Sequence, residues 1–126
     1  MKSSVPISDA ESLVMEVLWR GSQMPAEEVV AALVSQHQWQ EATIKTLLNR
    51  LLKKRAISAE KDGRRYLYSA VLKREQWVTT ESKSLLDRLF GGQLAPLVAH
   101  FGKHRKLSKA DLAELKRIVE SLDDGR

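Results

Sequence analysis

No cysteine occurs in the 126 residues of this chain. Disulfides and thiolate metal sites are therefore excluded, and a reducing compartment fits. Nowhere do about 18 apolar residues follow one another, and the opening MKSSVPISDAES has no apolar run long enough for a signal peptide. A soluble, cytoplasmic protein is expected. Glycine (6), proline (3) and aromatic residues (6%) are few, while 43% of the chain is apolar. That balance favours helices over an all-β fold. There is no glycine-rich phosphate loop, and no histidine stands in a recognisable pattern with an Asp or Ser. The sequence thus predicts no enzyme and no cofactor.

What the chain does have is localised positive charge. Ten cations and three anions fall in residues 41–74, a net +7, against −3 for residues 1–40 and +1 for 75–126. The same window carries a sharp structural pattern. Ile44, Leu47, Leu48, Leu51 and Leu52 form one apolar stripe at i, i+3, i+4, i+7 and i+8, so a helix is expected from Glu41 to Lys54. Its opposite face presents Ala42, Thr43, Lys45, Thr46, Asn49, Arg50 and Lys53. Two strands, Ile57–Lys61 and Tyr66–Val71, are expected to follow, joined at Asp62-Gly63-Arg64-Arg65, an Asp-Gly hairpin signal.

Upstream, Ser8 with Glu11 three residues later is the pattern of a capping box, and Leu13, Val14, Val17 and Leu18 make a first helix ending by Gly21. A second helix is expected from Met24-Pro25, with Val29, Val30, Leu33 and Val34 as its buried face. Trp39 anchors the turn before the third helix. Three helices closed by a β-hairpin is the winged form of the helix-turn-helix. The expected class is mainly α, with a winged helix over residues 1–72 and a three-helix dimerisation region over 73–126.

In that second region the helical patterns are Trp77–Phe90, Leu94–Phe101 and Ser108–Leu122. Leu112, Leu115, Val119 and Leu122 form a narrow stripe, and three short helices cannot readily bury their own apolar faces. A second copy of the chain is the simplest partner. Trp77, Leu85, Leu89, Leu112, Leu115, Val119 and Leu122 are the expected dimerisation residues.

A helix face of Thr, Lys, Asn and Arg can read base edges in a major groove, and a basic hairpin tip of Lys61, Arg64 and Arg65 suits phosphates. A polar face alone is what any surface helix needs; the basic hairpin behind it tips the reading toward double-stranded DNA. His100 and His104 are four apart, but two ligands alone rarely hold a metal, so no metal site is expected. A protein-interaction module is the rival reading. A binder of single strands is disfavoured because the strands carry no aromatic stacking platform.

Three motifs, in order and correctly spaced, carry a family resemblance. Ile7 to Trp19 (ISDAESLVMEVLW) resembles the opening of the penicillinase-repressor family, which includes methicillin-resistance and copper-responsive repressors. Trp39 to Lys54 resembles its recognition helix, and Asp62 to Tyr68 its wing. The similarity spans roughly residues 5–122 and is strongest over 7–73. It implies a homodimeric repressor on a palindromic operator with TACA/TGTA-type half-sites, in some members controlling β-lactam resistance. Carried over, Thr43, Lys45, Thr46 and Asn49 would face bases, and Arg50, Lys53, Lys54, Arg64 and Arg65 the backbone. The paired cysteines of copper-responsive members are missing, which rules out copper sensing by that chemistry. In β-lactam-responsive members a membrane sensor leads to cleavage at an Asn-Phe bond. The matching place here is His100-Phe101, where phenylalanine is kept and asparagine is replaced.

Overall fold

The computed structural model describes residues 5–124. Its elements run α1 (Asp9–Arg20), β1 (Met24–Pro25), α2 (Ala26–Gln36), α3 (Glu41–Lys53), β2 (Ile57–Asp62), β3 (Arg65–Ala70), α4 (Arg74–Phe90), α5 (Ala95–Lys103) and α6 (Lys109–Asp124). The described residues divide into two compact units, 5–80 and 81–124, with the boundary inside α4.

In the first unit α1, α2 and α3 pack around a core that includes Val14, Met15, Leu18, Val29, Leu33, Ile44, Leu48 and Leu51, all essentially inaccessible. Burying side chains of this size stabilises a fold by about 1.5–3 kcal/mol each. The capping box of α1 is present. The Glu11 amide donates to Ser8 Oγ at 3.1 Å, and the Ser8 amide donates to Glu11 Oε1 at 2.8 Å.

Two details of α2 correct the expectation. Met24 and Pro25 do not begin the helix; they form a short antiparallel strand, with Met24 opposite Tyr68 and Pro25 opposite Leu67. Pro25 supplies the extended N-cap instead. Val34 is 45% exposed and Val30 only half-buried, because they lie about 140° and 100° around the helix from Val29.

The sheet order is β1-β3-β2, and the hairpin register pairs Ile57 with Ala70 through Asp62 with Arg65. The turn is therefore Gly63-Arg64, one residue later than Asp-Gly. Gly63 has φ +68° while Arg64 keeps a negative φ, the pattern of a type II′ turn. A Cβ on Gly63 would meet nothing within 4 Å, so the glycine is required by backbone conformation rather than by space.

Trp77 was expected at the dimer interface. Within the single chain it is half-buried in the first unit, its ring centroid 5.5 Å from that of Trp19, whose Nε1 donates to the Leu72 carbonyl at 2.8 Å. A large indole next to a second one finds cover inside its own chain.

The second unit differs in kind. Among its described residues none is buried. Leu89, Leu94, Val119 and Leu122 are each more than half exposed, and Leu85, Phe101, Leu112 and Ile118 are also exposed. Leu115 is partly covered. Its α6 is nonetheless well begun: the Asp111 amide donates to Ser108 Oγ at 3.0 Å, and the Ser108 amide to Asp111 Oδ2 at 3.2 Å. No described helix is long and apolar enough to cross a membrane.

Candidate nucleic-acid interface

Helix α3 buries Ile44, Leu47, Leu48 and Leu51 and exposes everything between them. Its exposed side chains fall in two adjoining rows at helical spacing. Ala42, Lys45 and Asn49 make one row, and Thr43, Thr46, Arg50 and Lys53 the other; all are exposed. Thr46 Oγ1 donates back to the Ala42 carbonyl at 3.0 Å, which occupies its hydroxyl proton.

Lys45 and Asn49 of the first row look onto an open groove of about 820 Å³. Its apolar floor includes Val30, Val34 and Leu48; Lys45, Asn49, Arg65, Tyr66 and Tyr68 stand around it. The sheet makes this wall. Tyr66 and Tyr68 are two residues apart and so share one face of β3; Tyr68 packs against the core while Tyr66 is 49% exposed. The groove is absent from any local sequence signal because it joins α2, α3 and β3.

The cations of this surface are not equivalent. Lys45 Nζ lies 2.9 Å from Glu41 Oε2, one turn earlier, and that hydrogen bond holds the Lys45 ammonium above its ordinary range. Both groups are exposed, so the pair is weak and can be exchanged for another anion. Arg65 lies 3.6 Å from Asp62 across the hairpin turn, again with both groups exposed. Among the described residues Arg50, Lys53, Lys61 and Arg64 have no ion-pair partner, and all four are exposed.

Lys54, expected at the DNA backbone, is engaged within the fold. Its Nζ donates to Glu11 Oε1 at 2.5 Å and to the Pro6 carbonyl at 3.0 Å. Glu11 is 2% exposed, and Lys54's partner is thus an interior carboxylate. Burial opposes ionisation of Glu11, but the Lys54 ammonium and the Ser8 amide outweigh it and bring its pKa below the ordinary glutamate value. Such a lowered group stabilises the fold above the ordinary glutamate range, and that contribution is lost as the pH falls through the folded-state value.

Arg55 was not among the expected site residues. It has φ +63°, the left-handed region that usually selects glycine. The Arg55 amide donates to the Leu52 carbonyl and the Ala56 amide to the Leu51 carbonyl, both at 3.0 Å, so the pair closes α3 in a Schellman motif. An arginine at this position adds a cation between the helix and the wing.

In the second unit His100 and Phe101 lie within α5, both exposed. The His100 ring is 4.5 Å from that of His104 and 6.2 Å from that of Phe90, centroid to centroid. No group of three or more metal-ligating side chains occurs among the described residues.

Comparison with known proteins places this surface in context. Residues 7–121 match the family model described as penicillinase repressor. The penicillinase repressor of Bacillus licheniformis is 36% identical over 120 residues, covering 95% of this chain and 94% of that protein. The penicillinase repressor of Staphylococcus aureus is 32% identical over 118 residues, with 94% of each chain covered. A solution structure of monomeric Bacillus licheniformis BlaI in complex with the blaP half-operator aligns with a TM-score of 0.53 and 39% identity. That alignment covers 60% of this chain and 92% of BlaI's.

Proposed function

The chain belongs to the penicillinase-repressor family, a family of repressors and not of enzymes, and from that premise we propose that it is a transcriptional repressor acting as a homodimer on a palindromic operator. In this reading α3 enters the major groove. Thr43, Lys45, Thr46 and Asn49, with Ala42 beside them, meet base edges. Arg50, Lys53, Lys61, Arg64 and Arg65 meet phosphates on either side. Thr46, its hydroxyl proton held by Ala42, offers its methyl group, which suits a thymine methyl. Lys45 exchanges Glu41 for a guanine edge or phosphate.

The observation that carries the reading is the pairing of an exposed polar row on α3 with cations left without ion-pair partners at the helix end and the wing. The matching part of a 39% identical repressor is bound to a half-operator in its own structure. The dimer rests on the second unit, whose apolar side chains stay uncovered within one chain. Two linked α3 helices gain affinity by engaging two half-sites together. The regulated genes are those of β-lactam resistance, and the repressor works in the cytoplasm.

Derepression in this reading is cleavage at His100-Phe101, at the end of a pathway that a membrane sensor starts. The bond lies inside α5, so a protease must first unwind the last turns of that helix. Loss of α6 then removes Leu112, Leu115, Val119 and Leu122 from the interface.

Fluorescence anisotropy tests the function directly, with the purified protein on a palindromic TACA/TGTA duplex and on a scrambled one across salt concentrations. The expected result is tight binding to the first, with a steep salt slope. Equal weak binding to both would remove operator recognition, and no binding to either would favour a protein-interaction module.

A further inference from the structure

We infer that Lys54 and Glu11 form an internal latch that sets the pose of α3, so that Lys54 serves DNA binding from within the fold and not at a phosphate. The inference rests on the DNA-binding reading above.

Lys54 is the C-cap of α3, the residue at which the helix hands over to the wing. Its side chain, 35% exposed, reaches back to α1. There its Nζ meets two acceptors at once, Glu11 Oε1 and the Pro6 carbonyl. Glu11 Oε1 also accepts from the Ser8 amide, within the capping box of α1. One carboxylate oxygen therefore ties together the start of α1, the segment before it and the end of α3. Val5 and Ile7 pack against the core on either side of Pro6, which holds that segment in place.

The electrostatics explain why the ammonium stays. Glu11 is 2% exposed, and an interior carboxylate without a counter-charge is strongly unfavourable. Lys54 is its ion-pair partner among the described residues. Two of the ammonium's three protons go to these acceptors, and moving it to a phosphate would leave Glu11 unpaired. Arg55 follows at φ +63°, so the chain leaves α3 for β2 immediately after the latch. A shift at Lys54 would be felt by both the exposed rows of α3 and the hairpin that begins at Ile57.

A phosphate contact and a positioning role differ in the sign of one substitution. Removing an anion near DNA should tighten binding if only charge matters; removing Glu11 should weaken it if Glu11 holds α3 through Lys54. The experiment measures operator anisotropy of the full chain across salt for wild type, E11Q, K54M, K54R and the double variant E11Q/K54M, each at a temperature where it is folded. Amide exchange at Lys54, Arg55 and Ala56 is followed in the free proteins. The double variant leaves no buried charge, so it keeps the test open if a single variant fails to fold. The latch predicts that E11Q and K54M each weaken binding by roughly tenfold, the scale of coupling between contacting residues. It predicts an unchanged salt slope, a double variant no weaker than the worse single one, partial recovery in K54R, and faster exchange at the three amides. A slope reduced by about 0.9 in K54M, the mark of one lost phosphate contact, together with neutral or tighter binding by E11Q, would overturn it. Amide exchange unchanged in E11Q/K54M would overturn it as well. If wild type binds no duplex, the DNA-binding reading fails, and the exchange data alone decide whether the latch holds the end of α3.

Discussion

The two units of this chain are both largely helical and both rich in leucine, yet they treat their apolar side chains in opposite ways. In residues 1–80 the apolar faces of α1, α2 and α3 converge, and Val14, Met15, Ile44 and Leu51 lose all contact with water. In residues 81–124 the same residue types remain partly or largely in solvent, with Leu122 67% and Leu89 61% exposed. Geometry accounts for the contrast. Stripes such as Ile44 to Leu52 span a wide arc and can be covered by two neighbours at once. The stripe of α6 is narrow, the form suited to a single helix from elsewhere. One unit buries its apolar faces within the chain, and the other leaves them uncovered.

The largest expected effect breaks the unfinished half. Leu112→Glu combined with Val119→Glu should convert the proposed dimer to monomer and lower operator affinity by about a hundredfold or more, since each α3 would then bind alone. Sedimentation velocity and anisotropy on the same samples would check it. The melting transition of the first unit should be unmoved.

A matched pair of deletions sharpens the same contrast. Leu51→Ala should cost about 2–5 kcal/mol in chemical denaturation, by transfer and cavity terms together. Leu122→Ala should leave the stability of the isolated chain nearly unchanged and act on dimer dissociation instead. Equal costs for both would mean that the second unit has a core of its own.

Within the first unit, Asn49→Ala should cost about 1–3 kcal/mol on the operator and relax discrimination at one base pair. Binding to scrambled DNA should change little. Competition anisotropy with single-base operator variants would read out both.

The smallest effect concerns Arg55. Replacing it with glycine relieves the left-handed strain and should raise stability by up to about 1 kcal/mol, while removing one cation beside the wing. A thermal melt and a salt titration would separate the two consequences.

What was legible in the sequence followed from local rules. The stripe of α3, the capping box at Ser8 and a hairpin near Gly63 each arise within a few residues of chain, and each is present. What escaped depends on distant partners. Met24 and Pro25 are strand rather than helix because Tyr68 and Leu67 pair with them from more than forty residues away. Trp77 packs on Trp19, and Lys54 is drawn inward by Glu11, contacts that no spacing within one segment reveals. The exposed rows of α3 were legible as a face, whereas the groove beside them required α2 and β3 to be in place.

The most direct test of this division of labour is sedimentation equilibrium of the full chain at micromolar concentration. The expected mass is twice the 14.3 kDa of the single chain, falling to the monomer value on dilution or on charging α6. A monomer at every concentration, with the second unit's helices intact by circular dichroism, would contradict it.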